Sequence, residues 1–357
     1  MGQRRQTPAA GTLNVLVGRE SSLAERIFGW PKAELHLHLE GSIEPDTVVE
    51  LAARRGLTLA LQEVAAHYHY ADFRGFLEAF KWVTSLLREP EDYALIARRL
   101  VENLRRQNVI YAEITLSAGV MLFRRQDVSA NFAALRDAGE QAGISGLRLQ
   151  WVFDATRQFG AEKAMEVAWL AAQHRSGGVV AFGMGGDELS VPAEEFRTVY
   201  EFAREAGLHT VVHAGEIGGA DEVRRAVEVL GAKRIGHGIA AAADPVVMAL
   251  LAERRIPLEI CPTSNLRTGV LARLRGYPSV GIARHPIGEL VRAGVPVTLS
   301  TDDPAMFGTN LAAEYAAAVE AGLTIQELAQ VAEAGFAHAF TLERDREPLL
   351  ARLRAAL

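Results

Sequence analysis

Two histidines one residue apart, His36 and His38, lie in the stretch Lys32-Ala-Glu-Leu-His36-Leu-His38-Leu-Glu40-Gly41. Leu35, Leu37 and Leu39 alternate with them, which is the two-faced pattern of a β-strand. Both imidazoles then share one face, within reach of one metal ion, and the leucines face a packed layer. Three later segments carry similar chemistry: His213-Ala-Gly-Glu216, Gly236-His237-Gly238 and Thr301-Asp302-Asp303-Pro304. His36, His38, His213 and Asp302 together form a set of three imidazoles and one carboxylate. Such a set suits zinc, with iron or another divalent ion open. A histidine at a strand end is ordinary; four such donors at strand ends are not.

Zinc lowers the pKa of a coordinated water to about 7, so a hydrolytic reaction near neutral pH becomes accessible. Proton carriers stand beside the ligands. Glu216, three residues beyond His213, can face the same pocket. His237 can hold or deprotonate the water. Asp303, next to Asp302, can bond the substrate or receive a proton from a nitrogen.

Other chemistries lack their residues. There is no HExxH and no GxxxxGK[ST] loop, and Phe182-Gly-Met-Gly-Gly186 lacks the GxGxxG spacing of a dinucleotide loop. A cysteine-pair deaminase site needs two thiolates, but the chain has one cysteine, Cys261. The fourth strand ends in Met184, Gly185 and Gly186, with no lysine to bridge a second metal, which favours a single ion.

These residues need a scaffold of strand ends. Strands are expected within the stretch 32–41 and at 109–115, 147–154, 178–186, 209–213, 233–237, 257–261 and 295–300. Pro45-Asp46 opens a helix closed by Gly56. Residues 60–90 read as a long helical insertion with Phe73, Phe76 and Phe80 on one face, followed by a helix near 91–107. Further helices are expected over 192–207, from a cap at Asp221 and over 245–254. A capping box from Thr324 to Glu327 opens the closing helix. Strand and helix alternate eight times without a break in composition. That predicts a parallel (β/α)8 TIM barrel over 31–357 with a helical insertion after strand one, preceded by a tail and lead-in over 1–30. The polar residues cluster at the ends of strands one, five, six and eight, which is the active face of a barrel. An open sheet would gather its site at one crevice.

Apolar residues make up 49% of 357, enough for a large core. A net charge of −6 argues against nucleic-acid binding, and no apolar run approaches the ~18 residues of a membrane span. The lone cysteine fits a reducing, cytoplasmic setting. No motif speaks to oligomeric state.

The sequence resembles the adenosine deaminase family. The resemblance rests on His36-Leu-His38-Leu-Glu40-Gly41, Gly186-Asp187-Glu188, His213-Ala-Gly-Glu216, Arg234-Ile-Gly-His237-Gly238, Leu258-Glu-Ile-Cys-Pro-Thr-Ser264 and Ser300-Thr-Asp302-Asp303-Pro304, in the family's order. It implies a (β/α)8 barrel with one zinc that hydrolyses a purine 6-amino group and releases ammonia. On that resemblance His36, His38, His213 and Asp302 would bind zinc, and Glu216 would protonate ring N1. His237 would orient the attacking water and assist its deprotonation. Asp303 would hold the water and bond N7, and the Gly186 N–H would bond near N3. Phe76, Leu77 and Phe80 resemble the family's lid helix over the pocket.

One position departs from the pattern. Adenosine deaminases typically place Asp where Glu40 stands, reaching the ribose 5′-hydroxyl; Glu40 could fill the ribose space or serve a modified 5′ position. The expected substrate is a 6-aminopurine nucleoside, most simply adenosine, with adenine or aminodeoxyfutalosine, a 5′-extended adenosine analogue, as alternatives. A barrel cleaving a non-purine amide, lactone or phosphoester is a more distant one.

Overall fold

The computed structural model describes residues 25–70, 72–143 and 146–357. The tail expected over 1–30 therefore lies, as far as residue 24, outside the described residues.

Eight parallel strands follow one another around a barrel: β1 (Lys32–His38), β2 (Val109–Leu116), β3 (Arg148–Thr156), β4 (Val179–Gly185), β5 (His209–Ala214), β6 (Arg234–His237), β7 (Leu258–Ile260) and β8 (Val297–Leu299). Each pairs with its sequence neighbour in parallel. The ring closes just beyond β8, where the Asp302 N–H donates to the His36 carbonyl at 2.9 Å and the His38 N–H to the Asp302 carbonyl at 2.8 Å. Strands one and eight thus meet at three of the expected metal ligands, His36, His38 and Asp302. This is the (β/α)8 barrel that the alternation predicts.

The period of two works as read. Leu35, Leu37 and Leu39 are buried in the apolar core, while Glu34 and His36 belong to the buried polar set. That set includes charges that must be paired to be tolerated. Arg234 bridges Glu113 on β2 and Glu259 on β7, all three almost fully buried. Glu113 also accepts the Phe340 N–H at 2.6 Å, tying the C-terminal segment to the barrel.

Several local expectations are corrected. The insertion after β1 is not one long helix: it splits into Leu61–Ala66 and Phe73–Thr84. The break has a reason, since the Asp72 carboxylate accepts the Gly75 N–H at 2.9 Å and caps a new helix start. Asp221 is not a cap. Gly219 takes the cap position of the helix Ala220–Glu228, and Asp221 sits in its first turn, pairing with Arg224 at 2.9 Å. The helix opened by the Thr324–Glu327 box spans Ile325–Ala337, and a further helix, Glu343–Arg354, closes the chain. Between β7 and β8 lie three short helices, Pro262–Arg267, Val270–Arg275 and Ile287–Arg292. No described helix is long and apolar enough to cross a membrane.

Candidate active site

His36, His38, His213 and Asp302 offer ligand atoms that all lie within 4.8 Å of one another. Their elements are the ends of β1, β5 and β8. Gly236 on the neighbouring β6 makes room, because a Cβ there would come within 2.6 Å of the His36 ring. Asp302 holds a left-handed φ of 62°, and His237, the last residue of β6, one of 60°. Non-glycine residues seldom adopt that region, and such conformations gather at sites that need a side chain aimed against the local preference.

The hydrogen bonds around the cluster turn its donor atoms inward. His36 Nδ1 is 2.7 Å from Glu259 Oε2, which leaves Nε2 buried without a hydrogen-bond partner. His213 Nδ1 lies 3.3 Å from the Met184 carbonyl, to which it can only donate, so its Nε2 carries a lone pair. That nitrogen faces His38 Nε2 at 3.3 Å, and His38 Nε2 is 3.4 Å from Asp302 Oδ1. Burial pushes the His38 imidazole down to about 4 and His213 well below its ordinary value. His38 and His213 are therefore neutral rings with lone pairs converging beside a carboxylate, as a divalent cation requires. The Asp302 and Glu259 carboxylates hold the His36 imidazole above its ordinary value. Asp302 is fixed from its other oxygen by the Ser264 hydroxyl at 2.7 Å.

Glu216 faces this cluster from the loop after β5. Its Oε2 lies 3.6 Å from His237 Nε2. Burial, and then the charges of Asp302 and Glu188, push its carboxyl well above the ordinary range, so it keeps a proton to give. The loop is held by Glu188, whose buried carboxylate accepts the N–H groups of Gly215, Glu216, Ile217 and Gly218 at 2.8–3.1 Å. Asp303 is buried with Oδ1 unpartnered, and burial and the Asp302 charge raise its pKa as well. Gly41 lets the chain pass here, since a Cβ on it would fall 1.7 Å from Asp303 Oδ1.

A cavity of about 610 Å³ opens above these groups. Its floor includes His38, His213, Glu216, His237, Asp302 and Asp303, with Gly186 at one side. Phe73, Phe76, Leu77 and Phe80 form one wall, and Phe76 stacks on Phe307 with ring centroids 5.0 Å apart. Further out the cavity is lined by Phe123 stacked on Phe159 at 4.8 Å, and by Lys81 and Arg124. Glu40 does not reach the lining. It is buried behind Ser117, whose N–H its Oε1 accepts at 3.0 Å, and burial pushes its carboxyl up to about 7. The remaining sequence-named residues are brought together around one space.

Sequence reasoning gave no role to Glu259, Ser264, Asn265, Glu188 or Asp154. All but Asp154 stand in or beside quoted motifs. Their partners lie on other strands, so one-dimensional spacing gives them no distinguishing mark. Asp154 lines the cavity from the end of β3, with Oδ2 accepting the Gly185 N–H at 3.1 Å.

A barrel with a His3Asp cluster at its strand ends and a carboxyl facing it from the loop after β5 defines the class of metal-dependent hydrolases. The particular family follows from comparison. The family model described as adenosine deaminase matches residues 31–356. An aminodeoxyfutalosine deaminase of Streptomyces coelicolor is 42% identical over 321 residues, 88% of this chain and 81% of that one. An adenine deaminase of a Chelativorans species is 36% identical, covering 90% and 98%. An adenosine deaminase of Serratia proteamaculans is 33% identical, covering 91% and 98%.

Among solved structures, adenine deaminase from Arthrobacter aurescens superposes with a TM-score of 0.84 at 27% identity, over 92% of this chain and 99% of that one. A zinc-bound amidohydrolase from Burkholderia ambifaria gives 0.83 at 26%, over 93% and 92%. Arabidopsis ADAL complexed with IMP gives 0.81 at 26%, over 93% and 98%. The chain belongs to the adenosine deaminase family and is a hydrolytic deaminase acting on C–N bonds.

Proposed function

We propose that this chain is a zinc-dependent aminohydrolase of a 6-aminopurine nucleoside, most simply converting adenosine and water to inosine and ammonia. The observation that carries the reading is the Glu216 carboxyl, 3.6 Å from His237, facing the His3Asp cluster across one cavity. Zinc, held by His36, His38, His213 and Asp302, would supply Lewis acidity and an activated water. A zinc-bound relative of the same fold supports that metal.

The chain's own groups do the rest. Glu216 gives its proton to ring N1, which makes C6 electrophilic. The water oxygen bonds C6 and gives up both its protons, one to the amino group and one that restores Glu216, while the C6–N bond breaks and ammonia leaves. His237 and Asp303 border the attacking oxygen, and Asp303 also bonds N7. The Gly186 N–H bonds near N3, and Phe76, Leu77 and Phe80 cover the purine face. IMP in a structure of the same fold supports a purine ligand for this cavity. The single cysteine, Cys261, free and buried, accords with a cytoplasmic place of work.

A second reading is favoured by the outer cavity. Lys81 and Arg124 pair with no carboxylate among the described residues, and with the Phe123–Phe159 stack they suit an aromatic, anionic group beyond the ribose. A 5′-extended nucleoside such as aminodeoxyfutalosine has room there, in keeping with the name of the 42% identical relative.

Ammonia release by zinc-loaded protein from adenosine, 2′-deoxyadenosine, adenine, 5′-methylthioadenosine and aminodeoxyfutalosine, ranked by kcat/KM, tests both readings. Preference for adenosine supports the first, and preference for a 5′-extended nucleoside the second. Preference for adenine excludes both nucleoside readings. No ammonia from any of the five, with zinc bound, removes the purine assignment.

A further inference from the structure

A chain of hydrogen bonds behind His237 has a direction that can be worked out from one end. It begins at a backbone amide. The Ile287 N–H, which can only donate, lies 3.1 Å from His285 Nδ1. That nitrogen must therefore offer a lone pair, and His285 is a neutral ring whose one proton sits on Nε2. His285 is buried at 3% exposure, and burial and the Arg275 charge push its pKa to about 3.

The Nε2–H of His285 points at Asn265 Oδ1, 3.1 Å away. Asn265 is fully buried, so its amide cannot exchange this partner for water. With its oxygen committed to His285, Asn265 turns its NH2 toward His237 Nδ1 at 3.2 Å. His237 Nδ1 thus accepts. A ring that accepts at Nδ1 is neutral and carries its proton at Nε2.

The Nε2 atom is the one that faces the reaction space. It is buried without a hydrogen-bond partner, 3.6 Å from Glu216 Oε2 and 3.9 Å from Asp302 Oδ2. From these contacts we infer that His285 and Asn265 are positioning residues that lock His237 as the Nε2–H tautomer. His237 then donates a hydrogen bond to the attacking water oxygen and does not take a proton from it. Its part in turnover rests on the deaminase reading; its tautomer does not.

The relay also says which replacements will be tolerated. Gln at position 285 can still accept the Ile287 N–H with its oxygen and donate from its nitrogen to Asn265, so the direction survives. Asp at position 265 has no donor. Its carboxylate would accept from His285 and demand a proton on His237 Nδ1. Ser264, which holds Asp302, is untouched by either change.

The test is imidazole nitrogen NMR on full-length, zinc-loaded protein labelled at histidine, at neutral pH, with kcat and KM measured on the same samples. In the unsubstituted protein, His237 is expected to show a protonated Nε2 and a bare, hydrogen-bonded Nδ1. H285Q should keep that signature and keep kcat within about threefold. N265D should move the proton to Nδ1 and lower kcat by at least about a hundredfold with zinc content unchanged and KM little moved. The serine-protease triad loses about 10⁴-fold when its imidazole is held in the wrong tautomer.

A proton on Nδ1 in the unsubstituted protein overturns the inference, and that spectrum decides even if N265D fails to fold. So does a folded N265D with unchanged tautomer or unchanged kcat. If no purine is deaminated at all, the deaminase reading fails while the spectrum still judges the relay.

Discussion

The strand ends and the inserted wall face each other across one cavity, but they are held in opposite ways. At the strand ends nearly every side chain is tied by a directed polar bond: His36 to Glu259, Asp302 to Ser264, the Glu216 loop to Glu188, and His237 to Asn265. The wall from Phe73 to Thr84 is held mainly by ring contacts, such as Phe76 on Phe307. Its polar ties, Tyr70 to the Met306 carbonyl at 2.6 Å and Arg124 to Thr84, lie at its edges. Hydrogen bonds fix angle as well as distance, which proton transfer and metal binding demand. Apolar contact fixes mainly shape and volume, and side chains of similar size can be exchanged within it. On the proposed function, the chemistry is therefore set on one side of the cavity and the choice of substrate on the other.

That division can be broken in a graded series. The largest effect is expected from Glu216→Gln, which keeps the shape and removes the proton. On the proposed mechanism kcat should fall by about 10²–10⁴-fold, with zinc content at its original level. Near-normal turnover would remove Glu216 from its role. Next is Glu259→Gln, behind the ligand ring, which leaves His36 less firmly oriented. Zinc affinity, measured by competition with a chelator, should weaken by about 10–100-fold. An unchanged affinity would mean that the strand ends do not need their polar ties.

On the other side, Lys81→Ala should spare adenosine while lowering kcat/KM for an anionic 5′-extended nucleoside by about tenfold, or about 1.4 kcal/mol. Equal losses on both substrates would erase the distinction between the two walls.

The smallest effect concerns stability. Glu314 is fully buried and accepts the Thr263 N–H at 2.9 Å, tying the helix after β7 to the helix Leu311–Glu320. Burial raises its pKa from 4.5 to about 7. The folded protein thus holds a proton that the unfolded chain releases above about 4.5, so this group's contribution falls as pH rises from about 4.5 to about 7. Glu314→Gln lacks that slope. Its Tm relative to the unsubstituted protein should climb by a few degrees across the window, and a flat difference would mean that Glu314 is ionised when folded.

The same division explains what could be read in advance. His36, His38, His213 and Asp302 were legible because each stands at a strand end and their joint chemistry is rare. The barrel was legible because its strands repeat with period two between helix-like segments. Glu259 was not, although it lies in a quoted motif: a lone acid among apolar residues of a strand gains meaning only from Arg234 and His36 on other strands. The break at Asp72 lay hidden in a run that favours helix throughout, because one cap outweighs weak propensity. Glu40 faces Ser117 for a reason the sequence does not carry: the partner N–H belongs to the turn after β2.

Closure of the barrel through Asp302 also bears on the order of events during synthesis. The two bonds that join β1 to the segment after β8 bring together residues near opposite ends of the chain, the contact with one of the largest loop-closure costs in the fold. The cluster cannot be complete until that segment has left the ribosome and docked against the first strand. Metal loading then comes last, and a bound ion works as a clasp on the ring, resisting the opening of its first and last strands.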